Sequence, residues 1–167
     1  MASPGKLSLV FFAVLAGCAG EDPQRSATTD TAARTVSAVP AGQSAGADLY
    51  QRCVSCHQAN GEGLPGSFPP LAGSEYVTAS NTSVPIQIVI RGMQGPLTVK
   101  GVQYNGLMPP YGLGIEMSDD EVAAVLTHAR SSWGNNASPI TAQEVAAVRA
   151  QAAGKPPVTA EEVAPLL

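Results

Sequence analysis

The sequence predicts a small all-α domain, and three observations predict it. Two capping boxes, Ser118-x-x-Glu121 and Thr141-x-x-Glu144, each open a run of apolar residues at helical spacing. A contiguous Cys53-Val54-Ser55-Cys56-His57 lies directly behind a third helical stretch. Aromatic residues make up only 5% of the 167 residues, a thin supply of large side chains for a conventional core. Such a chain folds around apolar surface that it does not itself carry.

The cysteine run says where that surface comes from. C-x-x-C-H is the signature of covalent c-type heme attachment. Two thiols two residues apart can form thioethers to one porphyrin, and the next residue places an imidazole beneath its iron. A lone C-x-x-C is also compatible with a redox dithiol or half of a zinc site. The adjoining His57 and the lack of a second cysteine pair favour one covalent heme c, attached at Cys53 and Cys56. Formal net charge is -4 and no basic cluster is present, which leaves nucleic-acid binding without support.

In chain order, residues 1–17 read as a signal peptide. Lys6 precedes a short apolar run, Leu7 to Ala16, well under the roughly 20 residues that a membrane span needs. Leu15-Ala16-Gly17-Cys18 resembles a bacterial lipoprotein box, which makes Cys18 the expected lipidated residue; an ordinary secretory signal is the alternative. Cysteine arithmetic agrees, because the three cysteines divide between one lipid and one heme. Residues 18–43 read as a lipid-anchored flexible tether, with a relaxed span of about 25–30 Å. The folded domain is expected over 44–153.

Within it, Ser44 to Arg52 forms a short helix, with Leu49 one turn before Cys53. Asn60 to Gly66 is a glycine-rich loop, and Phe68-Pro69-Pro70-Leu71 a stiff apolar turn. Thr82 or Ser83 caps a helix that tolerates Pro85 in its first turn and draws apolar surface from Ile86, Ile88, Val89 and Ile90. Gly92, Gly95, Gly101 and Gly106 punctuate a long irregular stretch, ordered by wrapping a heme face. The Ser118 helix carries Val122, Val125, Leu126 and Ala129 on one stripe and stops near Ser132, with Gly134 beyond. The Thr141 helix runs to about Ala153. Gly154-Lys155-Pro156-Pro157 ends it, and 154–167 reads as a short, frayed C-terminal tail.

An iron held by His57 takes a second ligand or stays open. His128 reads as a helix histidine near a favourable dipole end. Met117 and Met93 read as packing. Met108 sits between Gly106 and Pro109-Pro110, a stiff setting for a flexible thioether, and is the favoured sixth ligand, with Met93 as runner-up.

Taken together, Cys53, Cys56 and His57, Phe68-Pro69-Pro70-Leu71-Ala72-Gly73, Tyr104-Asn105-Gly106-x-Met108-Pro109 and Ser118-Asp119-x-Glu121-Val122 resemble the class I cytochrome c family, single-heme Met/His type. Ser132-Trp133-Gly134-Asn135 adds a narrower likeness to cytochrome subunits of bacterial dehydrogenases and domains of copper nitrite reductases. The resemblance spans residues 44 to 150. It implies an all-helical fold of about three main helices, and His57 and Met108 as iron ligands. It also implies that Pro69 offers its carbonyl to the His57 ring, or Pro70 does if the register slips by one. Tyr104, Asn105 and Trp133 have donors suited to heme propionates. One departure stands out. Gly46-x-x-x-Tyr50 has the family spacing, but only Gln51 and Arg52 intervene before Cys53. That suggests Leu49 as the first helix's contact with the terminal helix.

The function implied is non-catalytic, one-electron transfer on the periplasmic side of a bacterial membrane. The protein would be anchored through Cys18 and exchange electrons with redox protein partners such as an oxidase, a reductase or a dehydrogenase. A subunit of a multi-subunit oxidoreductase is the first alternative. A heme peroxidase and a heme-based gas sensor rank lower, since no distal acid-base pair and no signalling domain can be seen in the sequence.

Overall fold

The computed structural model describes residues 41–167. The expected signal peptide, most of the expected tether and Cys18 lie outside the described residues. Six helices and one hairpin follow in order: α1 (Ala41–Tyr50), α2 (Val54–His57), α3 (Ser83–Arg91), β1 (Met93–Val99), β2 (Val102–Met108), α4 (Asp119–Ser131), α5 (Ala142–Ala152) and α6 (Ala160–Val163). A 3-10 turn, Ala164–Leu166, closes the chain.

α4 and α5 begin where the side chains predict, whereas α1 begins at Ala41, ahead of the expected Ser44, and Thr82 precedes α3 without a side-chain capping bond. Ser118 Oγ accepts from Glu121 N at 3.3 Å, and Glu121 Oε2 accepts from Ser118 N at 2.8 Å, so both halves of the box at α4 are made. Thr141 and Glu144 build the same reciprocal pair at α5. Each pair satisfies backbone N–H groups that a helix start leaves without intrahelical partners. Glu144 also accepts from Thr82 Oγ1 at 2.9 Å, tying α5 to the entry of α3.

α1 crosses α4 through Gly46. A Cβ at that position would collide with the Ala124 carbonyl and the His128 Cβ, so the two backbones meet directly. Tyr50, one turn on, is buried and stacks against His128 and Trp133 at centroid distances of 5.5 and 4.9 Å. The shortened link to Cys53 therefore leaves the Gly46–Tyr50 contact in place. Leu49 packs on the same core only partly buried, so it adds to that contact and does not replace it.

The fold is not all-α, and this corrects the expectation for residues 92–108. β1 and β2 form an antiparallel hairpin in which Met93 faces Met108, Leu97 faces Tyr104 and Val99 faces Val102. Lys100 and Gly101 make its two-residue turn with φ of 50° and 77°, the doubly positive geometry that matches strand twist and that glycine adopts readily. Inward positions Met93, Leu97 and Val99 alternate with exposed Gln94, Pro96 and Thr98. Gly95 and Pro96 interrupt that alternation in sequence, which is why it reads as loop.

The C-terminal segment also departs from a frayed tail. Val158 and Val163 are fully buried. Val158 pairs with β1 in parallel, donating to the Gly92 carbonyl and accepting from Gln94 N, each at 2.9 Å. Thr159 caps α6 by accepting from Glu162 N.

Two apolar cores result. One gathers Tyr50, Ile86, Ile90, Met117, Val122, Val125, Leu126 and Val145 between α1, α3, α4 and α5. The other gathers Tyr76, Val84, Met93, Val99, Tyr104, Val158 and Val163 under the hairpin. Residues of both cores line one cleft.

Candidate functional site

α2 brings Cys53, Cys56 and His57 to that cleft. The cleft is predominantly apolar, with Leu71, Val77, Ile88, Val89, Val125 and Leu126 in its walls. Phe68 and Leu107 reach its lining and remain exposed, Leu107 by 67%.

His57 is buried, and its Nδ1 lies 2.9 Å from the Pro69 carbonyl oxygen. A carbonyl can only accept, so Nδ1 carries the proton and Nε2 keeps its lone pair. Burial pushes the ring's proton affinity down, opposed by the bond to Pro69, which leaves the imidazole in the neutral form that binds metals. The partner is Pro69 and not Pro70.

The loop that presents Pro69 is held at several points. Leu71 N and Ala72 N donate to the Gly61 carbonyl at 2.7 and 2.9 Å, and Gly63 N donates to the His57 carbonyl at 3.0 Å. Asn135 is the side chain that sequence reasoning passed over. It is buried, donates to the Leu71 and Ala129 carbonyls at 3.0 and 2.7 Å, and accepts from Gly73 N at 2.7 Å. Its position in Ser132-Trp133-Gly134-Asn135 was the available signal. Trp133 donates Nε1–H to the Ala59 carbonyl at 3.1 Å, so that donor is engaged with backbone.

Met108 ends β2 and lines the cleft, as does Met93, its partner across the ladder. Directly paired residues project to the same face, so the hairpin turns both thioethers one way. Met117 also lines the cleft, and its carbonyl accepts from Arg149 Nη2 at 2.8 Å. Tyr104 is buried in the cleft wall, whereas Asn105 is exposed. His128 is outside the lining. It packs between Tyr50 and Trp133, with Nδ1 3.3 Å from Ser132 Oγ.

The donor set suits heme c better than a dithiol or a zinc ion. Burial, reinforced by the nearby Cys56 and partly offset by Arg52, pushes the Cys53 thiol up to about 11. Redox dithiols attack as thiolates, which a thiol raised this far seldom forms near neutral pH. Among the described residues no group of three or more His, Cys, Asp or Glu side chains converges as a metal-ion site. An apolar slot with two thiols, a neutral imidazole and a thioether on its walls fits a flat, largely apolar macrocycle carrying one iron.

Comparison with known proteins agrees with that fit. The sequence profile of the cytochrome c family matches residues 43–133. Cytochrome c-552 of Thermus thermophilus is 40% identical over 117 residues, covering 65% of this chain and 87% of that protein. The cytochrome c subunit of the quinone alcohol dehydrogenase of Gluconacetobacter polyoxogenes is 33% identical over 106 residues, covering 62% of this chain and 22% of the subunit. The cytochrome subunit of the fructose dehydrogenase of Gluconobacter japonicus is 30% identical over 110 residues, covering 63% of this chain and 22% of the subunit.

Proposed function

The chain belongs to the cytochrome c family, with one covalent heme c and an electron-carrier role, and from that premise we propose a Met/His-ligated shuttle tethered by lipid in the periplasm. When bound, heme c supplies a one-electron iron couple. His57 gives the iron its fixed imidazole, oriented by Pro69. Met108 gives it a soft thioether, which favours the reduced state and raises the potential.

The observation that carries this reading is the pairing, in one cleft, of a His57 ring locked by the 2.9 Å bond to Pro69 with the Met108 thioether. The cleft lining includes no carboxylate and no second histidine. A peroxidase needs an acid-base group on the reacting side, so this lining supports electron transfer over peroxide chemistry. The exposed apolar Phe68 and Leu107 suit brief, small contacts with a partner. Partners by class are a dehydrogenase on the donor side and an oxidase or reductase on the acceptor side. The chain covers 87% of cytochrome c-552 and 22% of the alcohol dehydrogenase cytochrome subunit. Cys18, after its lipoprotein-like box, supplies the anchor. Among the described residues no helix is long and apolar enough to cross a membrane.

Two measurements test this. The oxidised protein is expected to show the weak near-infrared band of methionine-to-iron ligation. Met108→Ala abolishes it and Met93→Ala keeps it; the opposite result reassigns the ligand to Met93. Cys18→Ser is expected to move the protein from the membrane fraction to the soluble fraction. An unmodified mature N-terminus in the mass spectrum refutes the anchor.

A further inference from the structure

Resting on the assignment of Met108 as iron ligand, we propose that residues 156–163 form a strap across the hairpin, fastened by Arg91 and Glu162, that positions the Met108 thioether. The strap begins at Pro156, whose carbonyl accepts from Arg91 Nε at 2.9 Å. It continues through Val158, whose two backbone bonds at 2.9 Å clasp Gly92 and Gln94 on either side of Met93. It ends at Glu162, which takes both outer nitrogens of Arg91, Nη1 at 2.6 Å and Nη2 at 2.9 Å.

Arg91 is the anchor because it has nowhere else to go. Its side chain is 4% exposed, at the end of α3 and immediately before the hairpin. Gln87, the Pro156 carbonyl and Glu162 take four bonds from its Nε, Nη1 and Nη2 groups. A buried guanidinium stripped of one of these partners is strongly unfavourable. A planar fork bound at both tips also fixes direction as well as distance. The strap therefore holds β1 against the second core, where Val158 and Val163 are fully buried beside Met93. β1 in turn holds β2 by register, Met93 opposite Met108. A thioether is a weak donor, so its hold on iron depends on how little freedom the chain leaves it. Loosening the strap enlarges the fraction of molecules in which Met108 is off. Neither Arg91 nor Glu162 lines the cleft; both act through the hairpin, as positioning residues.

The experiment uses full-length holoprotein in the oxidised state, with imidazole as the probe, since imidazole binds iron only where methionine has left. Glu162→Ala is expected to bind imidazole about tenfold more tightly, as a tenfold larger Met-off population requires. It is expected to weaken the near-infrared band and lower the midpoint potential. Glu162→Gln, which keeps one hydrogen bond and folds most readily, falls between it and wild type. Glu161→Gln, on the exposed side of the same turn, matches wild type. A purely structural role would lower the unfolding temperature and leave imidazole affinity unchanged in the folded protein; that outcome overturns the strap. Wild type lacking the band would overturn the Met108 assignment, and the strap with it. The wild-type spectrum and Met108→Ala together separate the two failures, since a band given by Met93 would survive Met108→Ala.

Discussion

The helical region around α1, α4 and α5 and the hairpin with its C-terminal strap are built on different physics. In the first, local signals do most of the work. Capping boxes start the helices, an apolar stripe faces inward, and a glycine lets α1 and α4 touch. In the second, the hairpin closes on itself through a two-residue turn, but the contacts that fasten it to the C-terminal segment join residues far apart in sequence. Met93 meets Val158, and Arg91 meets Glu162. The first region presents His57 and the second presents Met108, and the two residues meet only across the cleft. The difference teaches that the imidazole is fixed by a tight loop close in sequence, whereas the thioether is only as firm as a long-range assembly.

The largest expected effect lies in the helical region. Gly46→Leu drives a side chain into the Ala124 carbonyl and prises α1 off α4. We expect a loss of about 3 kcal/mol or more in denaturant unfolding, at the upper end for overpacking. A loss under about 1 kcal/mol would show that the crossing gives way easily and that the region is less rigid than the hairpin. Next comes Asn135→Ala, which leaves the Leu71 and Ala129 carbonyls and the Gly73 amide without their partner. About 2–3 kcal/mol is expected, with faster amide exchange across 69–73. Exchange confined to the hairpin instead would break the division between the regions.

The smallest effect is a pH dependence of the strap. The bonds from Arg91 hold the Glu162 carboxylate below the usual range, with Lys155 nearby adding to the pull. A folded value below the unfolded one means that the unfolded chain binds this proton more readily. The contribution is present above the unfolded value of about 4.3 and is lost as pH falls through the folded one. Glu162 is 40% exposed, so screening keeps this to about 1 kcal/mol or less. Wild type minus Glu162→Gln, followed by thermal unfolding from neutral to acid pH, is expected to shrink over that window. A flat difference would mean that hydrogen bonding and not charge fastens the strap.

The sequence was readable in the helical region for the same reason that region is robust. Ser118, Glu121, Thr141 and Glu144 act on their own neighbours, and C-x-x-C-H declares its chemistry in five consecutive residues. The hairpin was not readable, because Gly95 and Pro96 conceal the alternation of Met93, Leu97 and Val99, and Lys100-Gly101 is a quiet turn. The strap was less readable still. Nothing beside Arg91 announces Glu162, and Val158 looks ordinary until β1 is there to receive it. Asn135 falls between these cases: its stretch was noticed, but its three side-chain bonds reach back to residues 71, 73 and 129.

Trp133 gives the protein a built-in optical reporter. It is the chain's single tryptophan. Its indole lies against Gly61 and Tyr50 and donates to Ala59, all within the stretch that carries the heme attachment run. Its fluorescence is thus a gauge of the helical region alone. With heme bound, its emission is expected to be quenched, and to rise when that corner opens. Under the proposed ligation, release of Met108 is expected to change the protein's colour before it changes the tryptophan emission.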